Sequence, residues 1–534
     1  MSNINGQKNL FIFGITLVAT LGGLLFGYDT AVINGAIEAL ESFFIQPLTQ
    51  TPEFASRVII EFKVAATLSF ATVAILISSF FFRLHGLKKG GIYSLIFILI
   101  TGLIVYFKFL SLPNVLSENI SNAINGFVIS SALIGCIIGG SVAGYLSQAI
   151  GRRKGLIIAA FLFLISAVGS AIPDKMNFLG SEVISSFVLY RIVGGIGVGM
   201  ASMLSPMYIS EIAPANIRGR LVSWNQFAII FGMLVVYFVN YFIARGQPED
   251  WIMNTGWRWM FASEVIPASL FLIMLFFVPE TPRFLVMKNR EEEAIKLLNK
   301  ISGQSKATKV LSDIKNSLST KKSSWLSYGS LIIVIGVLLS IFQQFVGINV
   351  VLYYASKIFV NMGADTDTSL LQTIIVGAVN LTFTIVAIFT VDKFGRKPLQ
   401  IIGALGMAFS MACLGLTFYL ERLGIGSLIF MLLYTAFFAV SWGPVTWVLL
   451  SEIFPNKIRG AMSIAVAAQW ISNLIISWTF PIMDGHPWLT EHFNQGFSYW
   501  VYSFMGILAA VFVWKLVPET KGKSLEELES IWKK

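Results

Sequence analysis

Residues 210–219 read SEIAPANIRG and residues 451–460 read SEIFPNKIRG, so one ten-residue pattern occurs twice at an offset of 241 residues. A second pattern, GRRK at 151–154 and GRK at 395–397, repeats at an offset of 244 residues. One short match arises easily by chance, but two matches at nearly the same offset indicate that the chain consists of duplicated halves.

The composition places these halves in a membrane. Of the 534 residues, 56% are hydrophobic and only 12% are charged, whereas soluble domains carry about 25% charged residues. We expect an all-α polytopic membrane protein, because many apolar runs reach the roughly 20 residues that cross a bilayer as a helix. Fourteen spans are expected, near 11–34, 64–82, 90–107, 124–148, 155–172, 186–209, 222–244, 259–278, 329–357, 370–391, 398–420, 426–450, 461–481 and 497–517. Paired halves in a membrane are typical of alternating-access carriers, which bind their substrate between the halves near the midplane.

The loop charges predict the orientation. Basic residues concentrate in every second short loop, at 152–154, 218–220, 393–397 and 457–459, whereas 361–369 and 482–496 contain no Lys or Arg. Cytoplasmic loops carry such an excess of positive charge, so we expect both termini in the cytoplasm. The net charge of +10 then reflects orientation and does not indicate nucleic acid.

Two charged residues inside apolar spans stand out. Asp29 lies in the first span, where a carboxylate costs roughly 2.5–3.5 kcal/mol on insertion scales, and Arg191 is the one arginine well inside a span. We expect these two to pair, and a change in their separation would change the proton affinity of the carboxylate. Glu264 is a weaker candidate for a second proton-relay group. The alternative is a structural ion pair that only locks two helices together.

Amide side chains also concentrate within the spans. Gln343, Gln344 and Asn349 flank Gly347, where a helix can loosen, and Tyr353 follows them. Amides both donate and accept hydrogen bonds, which suits a ligand that carries several hydroxyl groups. The alternative is that single amides only join helices. The two cysteines and three histidines show no metal-ligand spacing, and no nucleophile–base or phosphate-loop signature stands out, so we expect no metal, no cofactor and no enzyme activity.

Several motifs together resemble the sugar porter family of the major facilitator superfamily: Gly-Arg-Arg at 151–153, Pro-Glu-Thr-Pro-Arg at 279–283, Gly-Arg-Lys at 395–397, Pro-Glu-Thr-Lys-Gly at 518–522, and the repeated Glu-x-x-Pro-x-x-Ile-Arg-Gly. The resemblance implies a major facilitator fold, with twelve core helices in two six-helix halves that rock around one sugar site. It implies sugar contacts from Phe26, Gln226, Gln343, Gln344, Asn349, Tyr353, Asn380, Gly443, Trp447, Gln469 and Trp470.

The same resemblance implies import of a pentose or hexose, with D-xylose as the expected sugar, by a monomer. Facilitative members of the family lack a carboxylate at the place of Asp29, so its presence favours proton symport. A proton-independent facilitator is the nearest alternative, and a sugar sensor that does not transport is another. Salt bridges between the halves are expected at the cytoplasmic side, to hold the outward-open state and break on inward opening, from Arg152, Arg153, Glu211, Arg218, Asp392, Arg396, Glu452 and Arg459.

Residues 40–122 depart from the family, which has a short outer loop there. This region contains two extra spans joined by the basic segment 83–89, so we expect a hairpin that enters and leaves the membrane. The predicted organisation is core helix 1 in 1–39, the inserted region in 40–122, core helices 2–6 in 123–278, a cytoplasmic linker with short helices in 279–328, core helices 7–12 in 329–517, and a cytoplasmic tail in 518–534.

Overall fold

The computed structural model describes residues 2–111, 113–177, 180–214, 217–319, 324–522 and 527. All regular elements in these ranges are helical, and thirteen of the helices are long and apolar enough to cross a membrane. In chain order, α1 is Leu10–Thr49, α2 and α3 are the arms 52–85 and 87–105 of Pro52–Val105, α4 is Glu118–Ala149, α5 is Arg152–Ala171, α6 is Val183–Ile212, α7 is Arg218–Ala244, α8 is Glu249–Leu275, α9 is Leu331–Tyr353, α10 is Thr366–Val391, α11 is Arg396–Tyr419, α12 is Ile425–Ile453, α13 is Met462–Asp484 and α14 is Phe497–Leu516.

The inserted region forms a helical hairpin. Pro52–Val105 is 54 residues long, which would extend about 81 Å if straight, far beyond a hydrocarbon core of about 30 Å. Gly86 interrupts it with φ +73° and ψ −178°, and the Ser94 hydroxyl donates to the Ser78 carbonyl at 3.4 Å. These two residues would lie about 24 Å apart in a straight helix. The chain therefore reverses at Gly86, which gives the fourteen crossings that the sequence predicts.

Two of the predicted span limits differ from the helix ends by more than ten residues. The first hairpin arm begins at residue 52 and not near 64, because polar residues such as Glu61 extend the helix and bind the start of α6. Helix α1 continues to Thr49, fifteen residues beyond the predicted end of the first span at 34. The continuation buries Ile37, Leu40 and Phe44 against the protein, so packing within the protein keeps these apolar side chains out of solvent.

The two halves are each a bundle of six spans. The N-terminal half contains α1 and α4–α8, and the C-terminal half contains α9–α14. Three short helices, Pro282–Met287, Glu291–Ser302 and Gln304–Ser319, lie in the linker between the halves. The middle one is amphipathic and buries Ala294, Leu297 and Leu298.

Glycines allow the backbones of the N-terminal half to approach closely. A Cβ atom on Gly195 of α6 would lie 1.8 Å from the Ala132 carbonyl oxygen of α4, and one on Gly27 of α1 would lie 1.8 Å from the Ile229 carbonyl oxygen of α7. Small residues at such contacts are typical of membrane helices, which associate through van der Waals packing. These two contacts hold α1 and α6 in the positions that bring Asp29 and Arg191 together.

Two spans of the C-terminal half are broken near their middle. Helix α9 breaks at Gly347, whose φ of +93° is left-handed, and a Cβ there would lie 2.7 Å from the Tyr502 ring. Helix α12 breaks at Ser441, with φ −129° and ψ −88°, two residues before the Gly443–Pro444 pair. Irregular backbone inside a membrane is tolerated where it lies within protein or lines a cavity, and both breaks lie beside the predicted amide cluster.

We predict that Gly195→Ala destabilises the fold, because its methyl group would overlap the Ala132 carbonyl. Overpacking of this kind costs about 1–3 kcal/mol, which thermal unfolding of the detergent-solubilised protein would detect. Gly102→Ala is the matched control, since a Cβ there meets no atom within 4 Å. An equal melting temperature for Gly195→Ala and Gly102→Ala would contradict the close-packing account.

Candidate functional site

A buried ion pair joins α1 to α6. The Arg191 Nη1 atom lies 2.7 Å from the Asp29 Oδ1 atom, and the two side chains are 1% and 0% exposed. The Nη2 atom of Arg191 also donates to the Asp29 backbone carbonyl at 3.0 Å. The structure thus brings together the two charged residues that the sequence places in separate spans.

A second carboxylate faces the same guanidinium. Glu264 of α8 is fully buried and interacts electrostatically with Asp29 and Arg191. The Arg191 guanidinium carbon also lies 5.4 Å from the centre of the Phe261 ring, one turn before Glu264. One guanidinium cannot neutralise two buried carboxylates, and an uncompensated buried charge is costly. A single proton added to this cluster balances its charge.

Amide side chains gather at the breaks in α9 and α12. Gln343 donates through Nε2 to the carbonyl oxygens of Trp442 at 2.9 Å and Gly443 at 3.3 Å. Asn349 donates to the Gln344 side-chain oxygen across the break at Gly347. The α9 break therefore brings Gln344 and Asn349 into contact. Gln343, beside them on α9, hydrogen-bonds the backbone at the α12 break.

Two aromatic rings meet between the halves beside these amides. Phe26 of α1 and Trp470 of α13 have ring centres 5.6 Å apart. The Tyr353 hydroxyl accepts a hydrogen bond from Asn473 at 3.3 Å. These contacts give the site an aromatic wall contributed by both halves.

The other four predicted sugar contacts lie on separate core helices. Gln226 of α7, Trp447 of α12 and Gln469 of α13 are partly exposed although they lie within spans, and Asn380 of α10 is buried. Within the described ranges no hydrogen bond links these side chains to the amide pair. The side-chain oxygens of Gln343 and Gln469 are buried without a protein hydrogen-bond partner there, so they can accept from a ligand.

Asn473 and Asn34 are polar contacts that the sequence reading missed. Asn473 follows Gln469 by four residues on α13, so the i,i+4 spacing of two amides is the signal that could have identified it. Asn34 lies five residues after Asp29 in the first span. Its Nδ2 atom donates to the Tyr353 carbonyl at 2.9 Å and to the Leu352 carbonyl at 3.2 Å, which joins α1 to α9.

The halves are closed against each other at the end opposite the basic loops. Besides Asn34, Lys357 Nζ lies 3.0 Å from a Glu41 carboxylate oxygen, and Trp478 of α13 donates to the Ala123 carbonyl of α4 at 2.9 Å. All of these contacts join one half to the other.

At the basic end the predicted inter-half salt bridges are not formed among the described residues. Arg152 pairs with Glu211 at 2.9 Å, and both lie in the N-terminal half. Arg396 pairs with Glu452 at 3.0 Å, and both lie in the C-terminal half. Bridges between the halves are expected in the outward-open state, and for that state they stay a prediction.

The remaining predicted gate residues contact their own half or lie outside the described side chains. Arg153 donates to the carbonyl oxygens of Leu275 and Phe276 at 2.9 and 2.8 Å. Arg218 is exposed and reaches the Ala213 carbonyl only at 3.5 Å. The side chains of Asp392 and Arg459 lie outside the described part of the structure.

The two Pro-Glu-Thr motifs occupy equivalent places in the two halves. Glu280 accepts from the Arg152 backbone N–H at 3.1 Å, and Glu519 accepts from the Arg396 backbone N–H at 3.1 Å. Each carboxylate thus caps the free N–H groups where a helix begins. Burial raises the pKa of Glu280, whereas four backbone N–H bonds outweigh the effect of burial and lower the pKa of Glu519.

Comparison with known proteins is consistent with this architecture. A model of the family described as "Sugar (and other) transporter" matches residues 15–532. The chain is 53% identical to the D-xylose-proton symporter of Escherichia coli, over 99% of this chain and 97% of that protein. It is 42% identical to the glucose facilitated diffusion protein of Zymomonas mobilis, over 79% of this chain and 90% of that protein.

A solved structure, the inward open conformation of the xylose transporter from Escherichia coli, matches with a TM-score of 0.77 at 52% identity. The match covers 98% of this chain and 100% of that one. The similarity therefore extends over both halves and not over one domain alone.

We predict that Arg191→Leu destabilises the protein by about 3–5 kcal/mol, because it leaves the buried Asp29 carboxylate without its partner. The double variant Arg191→Leu with Asp29→Leu removes both charges and should recover most of that loss. Thermal unfolding of the purified variants checks this difference. Equal melting temperatures for the single and double variants would contradict a buried, charged pair.

Proposed function

This chain belongs to the sugar transporter family, and on that premise we propose that it imports a monosaccharide together with a proton by alternating access. It is a multi-pass membrane protein of two six-helix halves. The relatives that it matches over most of their length are transporters and not enzymes. We further propose a sugar, a proton site and an orientation in the membrane.

The observation that carries the proposal is the amide and aromatic site between the halves. Gln343 and Gln469 each offer a buried side-chain oxygen with no protein donor in the described ranges. Sugar hydroxyls can donate to these atoms, and the face formed by Phe26 and Trp470 suits the C–H side of a sugar ring. We propose D-xylose as the substrate, because the symporter that is 53% identical is named for it.

The Asp29–Arg191–Glu264 cluster is the proposed proton site. Its single guanidinium and two buried carboxylates favour one bound proton, because full ionisation would bury an unpaired negative charge. Asp29 lies on α1 three residues after Phe26 of the sugar site. A movement of α1 on sugar binding would therefore change the surroundings of the carboxylate and couple the two ligands.

We propose that the basic end faces the cytoplasm, with both termini there, in a bacterial inner membrane. The concentration of Lys and Arg in the loops at that end supports this orientation. The contacts of Asn34 and Lys357 then close the outer side, and the conformation is inward-open. One chain supplies both halves of the site, which supports a monomeric transporter.

A facilitator is the second candidate, because a relative that is 42% identical is a facilitated diffusion protein. Uptake of a panel of labelled pentoses and hexoses into membrane vesicles, with and without a pH gradient, separates the two functions. Accumulation of D-xylose above equilibrium only with the gradient is the expected result. Equilibration at the same level in both conditions would indicate facilitation, and uptake of another sugar alone would reject D-xylose.

Replacement of Asp29 by Asn should abolish uphill uptake and preserve sugar binding and exchange, because the amide cannot carry the coupled proton. One proton that moves down about 150 mV supplies roughly 3.5 kcal/mol, enough for an accumulation of a few hundredfold in the unmodified protein. In the variant the internal and external concentrations should become equal. Asp250→Asn, at an exposed position, is the control, and normal accumulation by Asp29→Asn would rule out its coupling role.

Replacement of Gln344 or Trp447 by Ala should weaken sugar binding at least tenfold, or about 1.4 kcal/mol. Gln344 would lose its side-chain hydrogen bonds and Trp447 its apolar face. Isothermal titration of the purified variants with D-xylose measures the change. Trp514→Ala is a matched control, because Trp514 is 63% exposed on the outer surface of α14. An affinity equal to that of the control would exclude the residue from the site.

A further inference from the structure

The α2–α3 hairpin is anchored to the N-terminal half at the outer end. Arg57 of α2 lies 2.6 Å from a Glu182 carboxylate oxygen. Glu61, one turn later, accepts from the Glu182 backbone N–H at 3.2 Å and from the Ser185 hydroxyl. Because Glu182 and Ser185 lie at the start of α6, the base of the hairpin must move with the N-terminal half.

The hairpin also packs against the C-terminal half. The Trp478 ring of α13 lies 6.2 Å from Phe62, 5.9 Å from Phe70 and 5.9 Å from Phe109, measured between ring centres. Phe127 of α4 completes this group at 5.0 Å from Trp478. We call these five residues the seam cluster, because they cover the line where α4 of one half meets α13 of the other.

The tip of the hairpin contacts the linker that leads into the C-terminal half. The Arg83 guanidinium lies 5.5 Å from the centre of the Trp325 ring, just before α9 begins. Trp325 in turn packs beside Gly460, where a Cβ would lie 3.3 Å from its ring nitrogen. Gly460 precedes α13, so Trp325 connects the hairpin tip to the start of that helix.

We infer that the hairpin is a brace that stabilises the outward-closed conformation. This inference rests on the proposed alternating access. Outward opening must separate α4 from α13 at their outer ends, where a Cβ on Gly126 would lie only 2.4 Å from the Trp478 carbonyl oxygen. The separation would withdraw Trp478 from three rings of a hairpin that is tied to the other half. Simple packing of the hairpin against lipid would require none of these contacts.

The test is the population of the outward-open conformation in variants of the brace. Spin labels at Gln247→Cys and Glu491→Cys, on exposed outer loops of the two halves, report the opening as a distance in nanodiscs. The background carries Cys136→Ala and Cys413→Ala, which remove the free cysteines. An aromatic contact contributes about 0.5–1.5 kcal/mol, so Phe70→Ala should raise the ratio of open to closed molecules by roughly two- to tenfold.

Matched controls make the result specific. Leu68→Ala lies on the same arm at a position that is 63% exposed, and it should leave the ratio unchanged. Arg83→Ala should also raise the ratio, against Lys88→Ala as the control at the exposed tip. If the ratio of open to closed molecules in Phe70→Ala and Arg83→Ala equals that of their controls, the brace is rejected.

Failure of the proposed function would look different. If every sample, with or without saturating D-xylose and at either acidic or neutral pH, shows one and the same outer distance, alternating access is wrong and the brace with it. If two distances interconvert with sugar or pH but their populations do not change in Phe70→Ala and Arg83→Ala, alternating access stands and only the brace is rejected.

Discussion

The buried pair of Asp29 and Arg191 is the constraint on which the N-terminal half depends. Two charges that are fully enclosed cost several kcal/mol of desolvation each and persist only with close contact and further hydrogen bonds. Glycines let α1 pack closely against α7 and α6 pack closely against α4. This packing holds the two charged side chains in contact. Glu264 adds a second buried carboxylate beside this single guanidinium, which is why we propose the cluster as the proton site.

The C-terminal half builds its part of the candidate site from two broken helices. The left-handed Gly347 and the irregular Ser441 release backbone groups inside the membrane. Gln343 hydrogen-bonds the carbonyl oxygens at the α12 break, so the same amide both stabilises the irregular backbone and lies in the site. These local hydrogen bonds offset the free-energy cost of placing polar side chains inside a membrane span. The two halves therefore contribute unequal parts, a charge cluster from one and an amide cluster from the other.

The conformation follows from where the halves touch. Asn34, Lys357 and Trp478 join the halves at the end opposite the basic loops, whereas the arginines of the basic end pair within their own halves. In the proposed alternating access the halves cannot close both ends at once, so contacts at one end favour opening at the other. The inserted hairpin favours the conformation that is closed at this end, since its base is bound to the N-terminal half and its aromatic rings pack against Trp478 of the C-terminal half.

Sequence alone determined the class and the duplication, and it named most residues of the candidate site. Composition and the lengths of apolar runs predict the membrane spans, the repeats at 210–219 and 451–460 predict the halves, and charges or amides in apolar runs identify Asp29, Arg191 and the glutamines, because such residues are costly in a membrane. Only the tertiary structure decided which ends touch. It revealed Asn34, Asn473 and the intra-half pairing of Arg152 and Arg396, and it placed the hairpin over the seam. Contacts between residues more than a hundred positions apart depend on how rigid helices pack, and local sequence carries no record of that geometry.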